Sequence, residues 1–157
     1  DFVSDQLFDG RPFRILTVVD AHTREALSTA SRANFRAAQV VEVLDQPVRV
    51  RGKPKSLRVD KGPEFAGRLL DHWAYLNKVE IDFSRPGKPT DNAFIEAFNA
   101  RLRAECLNAS WFLSLADARE RIEAWRTHTN EERPHSALGN LTPRAFASQA
   151  QLAQEVA

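Results

Sequence analysis

The sequence predicts an α/β domain in which a mixed sheet is flanked by helices, and three observations predict it. β-branched and aromatic segments crowd the N-terminal stretch, helical and strand patterns then alternate, and the C-terminal part reads as helix. The chain has 157 residues, 43% of them hydrophobic and 27% charged, which is the length and mixture of one globular domain.

Phe2 to Phe8 alternates loosely and meets a turn cluster at Asp9-Gly10-Arg11-Pro12. Phe13 to Val19 is the densest β-branched segment, and Glu25 to Ser31 suits a third strand, so the three form an antiparallel meander. Asn34 is a capping residue for a helix to about Leu44, with Phe35, Ala38, Val41 and Leu44 at helical spacing. Ser56 to Val59 reads as a short buried strand ending at Asp60. Gly62-Pro63 opens the next helix, because Pro lacks only an N–H that the first turn leaves unbonded, and Phe65, Leu69, Trp73 and Leu76 give its apolar face. Val79 to Phe83 is a strand, Ser84 to Pro89 a breaker-rich loop, and helices follow over Asp91–Leu107 and Leu115–His128. Ser114 caps the last of these, with Asp117 in its first turn. No internal repeat or low-complexity segment is present.

A net charge of +1 carries no bulk nucleic-acid signature. Between Pro47 and Val59, however, Arg49, Arg51, Lys53, Lys55 and Arg58 stand without an acid, a run that suits a solvated loop or a phosphate contact. The single cysteine, Cys106, excludes an internal disulfide and any Cys-rich zinc site, and points to a reducing cytoplasm. No segment approaches the ~20 apolar residues of a membrane span, and no secretory signal pattern appears, so a membrane is not among the expected partners. The absence of Met and the start at Asp1 suggest a fragment of a longer protein.

Ligands of α/β proteins gather at strand ends, and Asp60 is an acid at one, although its place before a helix also suits a cap. On the following long helix, Ile95, Phe98, Leu102 and Cys106 make an apolar face. Asn92, Glu96, Asn99 and Arg103 make a polar stripe, whose two amides, acid and base suit a polar ligand better than a plain solvated face. Trp73, Trp111 and Trp125 read as packing residues, as does His135, which no Ser or Cys nucleophile pattern accompanies. Cys106 reads as a small buried hydrophobe.

Several ordered motifs now accumulate. Asp1-Phe2-Val3-Ser4-Asp5, Leu57 to Phe65 and Asn92 to Asn99 resemble the catalytic blocks of insertion-sequence transposases, specifically the OrfB type with a retroviral-integrase-like core. The Arg85–Thr90 loop, the tail Asn130 to Gly139 and Leu141-Thr142-Pro143 resemble that family too, so the likeness spans Asp1 to about Phe146. Lys61, where the family usually has Asn, and Thr129, where it usually has an aromatic residue, are departures.

The resemblance implies a ribonuclease-H-like fold with a five-stranded mixed sheet. Residues 1–108 would form the core and 109–157 a helical C-terminal extension of the same domain. It implies an Asp-Asp-Glu site of Asp1, Asp60 and Glu96 that holds two Mg²⁺ or Mn²⁺ ions, since hard cations take carboxylate oxygens. Asp5, Asp9 and Asp20 are alternatives to Asp1; Asp20, after Val18-Val19, is the best of them. The activity implied is phosphodiester cleavage followed by strand transfer, on transposon-end and target DNA, by an oligomer in the bacterial cytoplasm and nucleoid. Arg49, Arg51, Lys53, Lys61, Lys88, Asn99 and Arg103 would meet DNA, with end recognition in an upstream domain or partner chain. The rivals are a degenerate DNA-binding remnant and a nuclease that cuts without joining.

Overall fold

The computed structural model describes residues 1–85, 87, 88 and 92–156, with side chains through 153. Pro86, Pro89, Thr90 and Asp91 lie outside the described residues, and with them part of the expected loop motif and the expected helix start.

Three strands form the meander: β1 (Phe2–Gln6), β2 (Pro12–Val19) and β3 (Ala26–Arg32), with β2 antiparallel to both neighbours. Successive residues of a strand face opposite sides. Accordingly Phe13 and Ile15 of β2 enter one apolar cluster, while Leu16 enters another. The first cluster joins Val3, Leu102, Cys106, Phe112 and Ile122; the second joins Val40, Leu44, Val59, Leu70 and Trp73. The sheet is therefore covered on both faces, as an α/β domain requires.

α1 (Ala37–Arg51) starts later and ends later than its apolar spacing suggests. The Gln39 side chain accepts from the Arg36 backbone N–H at 2.9 Å, so the helix is closed at Arg36 rather than Asn34. It runs through Pro47, which puts Arg49 and Arg51 in a helical turn instead of a loop. β4 (Ser56–Val59) and β5 (Glu80–Phe83) pair in parallel, with α2 (Arg68–Asn77) between them in the chain. Gly62-Pro63 does not open that helix. Phe65 and Ala66 donate back to the Gly62 carbonyl in a separate turn, and the helix proper begins after Gly67. Shifting the start changes the buried face: Leu70, Trp73 and Ala74 are covered, whereas Leu69 and Leu76 are exposed.

All five expected strands are present, but their ladders divide into an antiparallel trio and a parallel pair. The Val59 carbonyl at the end of β4 accepts from the Ser84 amide and hydroxyl, and Phe2 of β1 stacks on Phe65 and packs against the apolar cluster that holds Val59, which joins the pair to the trio.

α3 (Ala93–Leu102) passes into a π turn at Arg103–Leu107, and a loop leads to α4 (Leu115–Glu131). The Ser114 hydroxyl accepts from the Asp117 amide at 3.0 Å, the expected cap. Cys106 is buried and free as expected, and Trp73 and Trp125 pack. Trp111 does not: it is 73% exposed, edge-on to the exposed Phe8. α5 (Pro143–Val156) closes the fold, its first turn held by the Thr142 hydroxyl on Ala145 N. No helix among the described residues is long and apolar enough to cross a membrane.

Candidate active site

The polar stripe of α3 lies against the ends of two strands. At its centre the Asn99 amide nitrogen donates to Asp1 Oδ2 at 2.7 Å, and Asn99 Oδ1 accepts from the Thr17 hydroxyl at 2.9 Å. Thr17 is buried in the middle of β2, and its backbone N–H also donates to the Asp1 carbonyl at 2.8 Å. This relay sets the Asp1 carboxylate from a rigid strand through one amide. The Asn99 amide is thus engaged at its nitrogen by Asp1 and at its oxygen by Thr17.

One turn before Glu96, Asn92 Oδ1 accepts from the Ser84 hydroxyl at 2.5 Å, and Ser84 is bonded to the Val59 carbonyl. The N-terminal end of α3 is thereby tied to the strand end that carries Asp60. At the other end, Arg103 donates to the Ser4 carbonyl at 3.1 Å, so this guanidinium braces β1. Of the four stripe residues only Glu96 has a side chain with no hydrogen-bond or ion-pair partner among the described residues, and it is exposed.

Asp60 is exposed, and its Oδ1 accepts from the Gly62 amide at 2.8 Å. A Cβ at position 62 would stand 2.9 Å from that oxygen and 3.2 Å from Glu64 Oε2, so any side chain here would push the Asp60 carboxylate from its place. Asp60 lies within electrostatic reach of the Asp1 backbone nitrogen, so the two aspartates are neighbours. Glu64 is paired with Arg14, whose guanidinium also covers the Phe2 ring at 3.9 Å. Burial is the largest single influence on Glu64 and works against its anion, yet the Arg14 hydrogen bond, the residue's own backbone bond and the Arg14 charge together hold the carboxyl below its ordinary value. Asp1, Asp60 and Glu96 do not close into one cluster: among the described residues no three acidic, His or Cys side chains stand close enough to hold an ion.

The alternatives to Asp1 are occupied elsewhere. Asp20 caps its own turn by accepting from the His22 and Thr23 amides, and Asp9 pairs with Arg11 in the exposed hairpin. Asp5 pairs in register with Phe13 at the far end of β1.

The expected DNA-facing bases separate into two sets. Arg49, Lys53, Lys61 and Lys88 are exposed. Arg51 is exposed too, but it is engaged: it is paired with the buried Glu25, which Arg144 also reaches at 3.2 Å, and it approaches Asp20 at 3.9 Å. Inside the helical turn its long stem points toward β3, and a buried carboxylate demands such compensation. Arg58 likewise pairs with Asp82 across β4 and β5, at 2.9 Å.

Sequence reasoning missed Thr17, Gly62, Glu25 and Asn130. Asn130 is fully buried and pairs with both backbone groups of Ala26, accepting from its N–H at 2.8 Å and donating to its carbonyl at 2.9 Å. A long-range bond of this kind leaves no local pattern. Gly62 alone carried a usable signal, since a glycine two residues after an aspartate suits a side-chain-to-backbone turn.

Family comparison rests on this geometry. The integrase core domain matches over residues 1–89 and again over residues 77–143. The chain belongs to the integrase core family. It is 50% identical over 148 residues to an uncharacterized 31.7 kDa protein of insertion element IS407 from Burkholderia multivorans, covering 94% of this chain and 53% of that one. It is 23% identical over 149 residues to the putative transposase InsK of IS150 from Escherichia coli, covering 94% and 53%. The chain thus spans about half the length of these curated relatives. Among solved structures, the HTLV-2 integrase catalytic core in complex with magnesium superposes with a TM-score of 0.74 at 15% identity, covering 94% of this chain and 92% of that one. A chain of the simian T-cell lymphotropic virus intasome gives 0.80 at 15% identity, covering 94% and 52%. The ribonuclease-H-like integrase core fold expected from the sequence is the fold observed.

Proposed function

We propose that this integrase core is the catalytic part of a DNA transposase, which cuts a phosphodiester at an element end and joins the freed 3′-hydroxyl to a second strand. One observation carries the reading: a single stripe on α3 holds Asp1 through Asn99, bears Glu96, and is tied through Asn92 and Ser84 to the strand end of Asp60.

The donor set fits hard divalent cations. It consists of carboxylates without Cys or His, and the missing side chain at Gly62 leaves room beside the Asp60 carboxylate. Asp1, Asp60 and Glu96 would hold Mg²⁺ or Mn²⁺, and two ions would activate the attacking oxygen and stabilise the leaving one. The HTLV-2 core bound to magnesium supports that choice. Asp1 is oriented before any ligand arrives, because Asn99 and Thr17 fix its carboxylate. Glu96, exposed and without a bonded partner among the described residues, would swing toward the aspartates. Arg49, Lys53, Lys61 and Lys88 offer positive charge to phosphates on either side of the cut. A functional oligomer on DNA is the reading consistent with the intasome likeness.

Incubation with element-end DNA and Mn²⁺ should give cut and joined products. Asp60→Asn, nearly isosteric, should abolish both and leave the melting curve cooperative; robust cleavage by Asp60→Asn would overturn the site. Cut products that are never joined would favour a nuclease.

A further inference from the structure

The far side of α3 carries a feature that the proposed chemistry does not use. Phe94, Ala97, Phe98 and Arg101 fall at helical spacing on the face opposite Asn92, Glu96 and Asn99. They wall a cleft of about 260 Å³, closed on its other sides by Arg24, Thr129 and the 135–137 segment.

This cleft is polar in an unusual way. Thr129 is 1% exposed, and its hydroxyl has no hydrogen-bond partner among the described residues. The buried Nε2 of His135 likewise has none. A buried polar group left unbonded is costly, and both of these residues wall the same cleft. The charge around them has one sign. Arg24 lies over the Phe94 ring at 4.1 Å, neither Arg24 nor Arg101 forms an ion pair among the described residues, and no acid lines the cleft. Burial lowers the His135 pKa, and the fields of Arg101, Arg133 and Arg24 lower it further, so the imidazole is neutral at pH 7.

We propose that this cleft is a second ligand site, separate from the acids, that takes a phosphate monoester dianion. Two guanidiniums match the charge of about −1.5 to −2 that such a group carries near pH 7, and their planar forks match its oxygens. The Thr129 hydroxyl and a neutral imidazole, which can present its N–H at Nε2, supply two further donors. Phe94 and Phe98 give an apolar wall for whatever the phosphate is attached to. The monoester could belong to a small metabolite or to the 5′ end of a DNA strand, and only the second source depends on the transposase reading.

The test is calorimetric titration without metal, first with inorganic phosphate and then with thymidine 5′-monophosphate, at constant ionic strength set by chloride. Saturable binding with a Kd of about 1 mM or tighter is expected. Arg101→Gln should weaken it about tenfold or more, and Thr129→Val, an isosteric loss of the hydroxyl, about fivefold. Asp60→Asn should bind like the unaltered protein. Absence of saturable binding, or binding that both cleft variants retain in full, overturns the proposal. So does loss of binding in Asp60→Asn, which would move the anion to the acid site. Short oligonucleotides with a 5′-phosphate or a 5′-hydroxyl separate the sources: a preference for the phosphorylated strand over the mononucleotide identifies a DNA end. Because none of these readouts is cleavage, failure here leaves the transposase reading untouched, and failure of that reading leaves this one.

Discussion

Asp1 and Glu96 are carboxylates proposed to share one task, and the protein holds them in opposite ways. Asp1 is half-buried and bonded to Asn99, which is in turn bonded to a hydroxyl buried in the central strand. Glu96 is exposed on a helix whose neighbouring stripe residues are all tied down, yet its own side chain is bonded to nothing among the described residues. Asp60 lies between these extremes, kept by a bond to the Gly62 amide that a side chain at position 62 would crowd. The difference teaches where rigidity resides. Three carboxylates crowded together repel, so a protein that builds all three rigidly at close range raises the energy of its own metal-free state. Fixing one, steering a second and leaving the third free avoids that cost while keeping all three on adjoining elements.

The hardest test removes the free acid. Glu96→Gln should lower cleavage by about a thousandfold or more without shifting the melting temperature, because the side chain is bonded to nothing among the described residues. A melting shift of several degrees would show that Glu96 is held after all. Asn99→Leu attacks the opposite pole. It should raise the Mn²⁺ concentration needed for half-maximal cleavage by about 10–100-fold, the usual effect of removing a partner that orients a ligand. It should also destabilise the fold by about 1 kcal/mol in urea, because the buried Thr17 hydroxyl exchanges its 2.9 Å bond to Asn99 for the longer 3.3 Å contact with the Asp1 carbonyl. An unchanged metal requirement would mean that Asp1 needs no orienting. Gly62→Ala should fall between, with Asp60 pushed off its amide and cleavage about tenfold down, because the new Cβ meets Oδ1 at 2.9 Å.

The same contrast explains what could be read from the sequence. The strands, the stripe of α3 and the capped α4 were legible, because period and capping are local signals. Asp60 and Glu96 were legible as chemistry-bearing residues only through the motifs around them. The role of Asn99 was not: an amide on a polar stripe looks the same whether it meets DNA or an aspartate ninety-eight positions earlier. The ion pair of Arg51 was hidden for a related reason. The run from Arg49 to Arg58 reads as uniform charge, but extending α1 through Pro47 turns Arg51 toward the buried Glu25 and leaves Arg49 outside. Leu69 and Leu76 were placed inside by a helix begun five residues too early, at Pro63 rather than Arg68.

That division of the basic run gives a smaller effect. Neutralising Arg49 and Lys53 together should weaken DNA binding for every sequence and lower the salt slope by about 0.9 for each phosphate that is no longer neutralised. Arg51→Gln should leave the slope nearly unchanged and instead cost stability, because Glu25 keeps only Arg144 beside it. If Arg51→Gln moves the slope as much as Arg49→Gln, the ion pair with Glu25 does not survive on DNA.

The smallest effect is expected at Lys61, which stands next to Asp60 and is exposed. An ammonium there has two courses. Turned inward, it would compete with a cation for the Asp60 or Glu96 charge; at ~4 Å and an effective dielectric near 20 such a pairing reaches about 4 kcal/mol before desolvation. Turned outward, its long stem carries the charge to a phosphate and leaves the acids alone. The Asp60 oxygen is already occupied by the Gly62 amide, and no ion pair links Lys61 to an acid among the described residues, which favours the outward course. Lys61→Asn should therefore change the apparent Mg²⁺ requirement by less than about tenfold and weaken DNA binding only mildly, at low salt. Much tighter Mg²⁺ binding in Lys61→Asn would reverse the assignment: the lysine would then be the group that fills the acid site in the metal-free protein, and the freedom of Glu96 would have to be read as the consequence of a missing partner rather than as a working part.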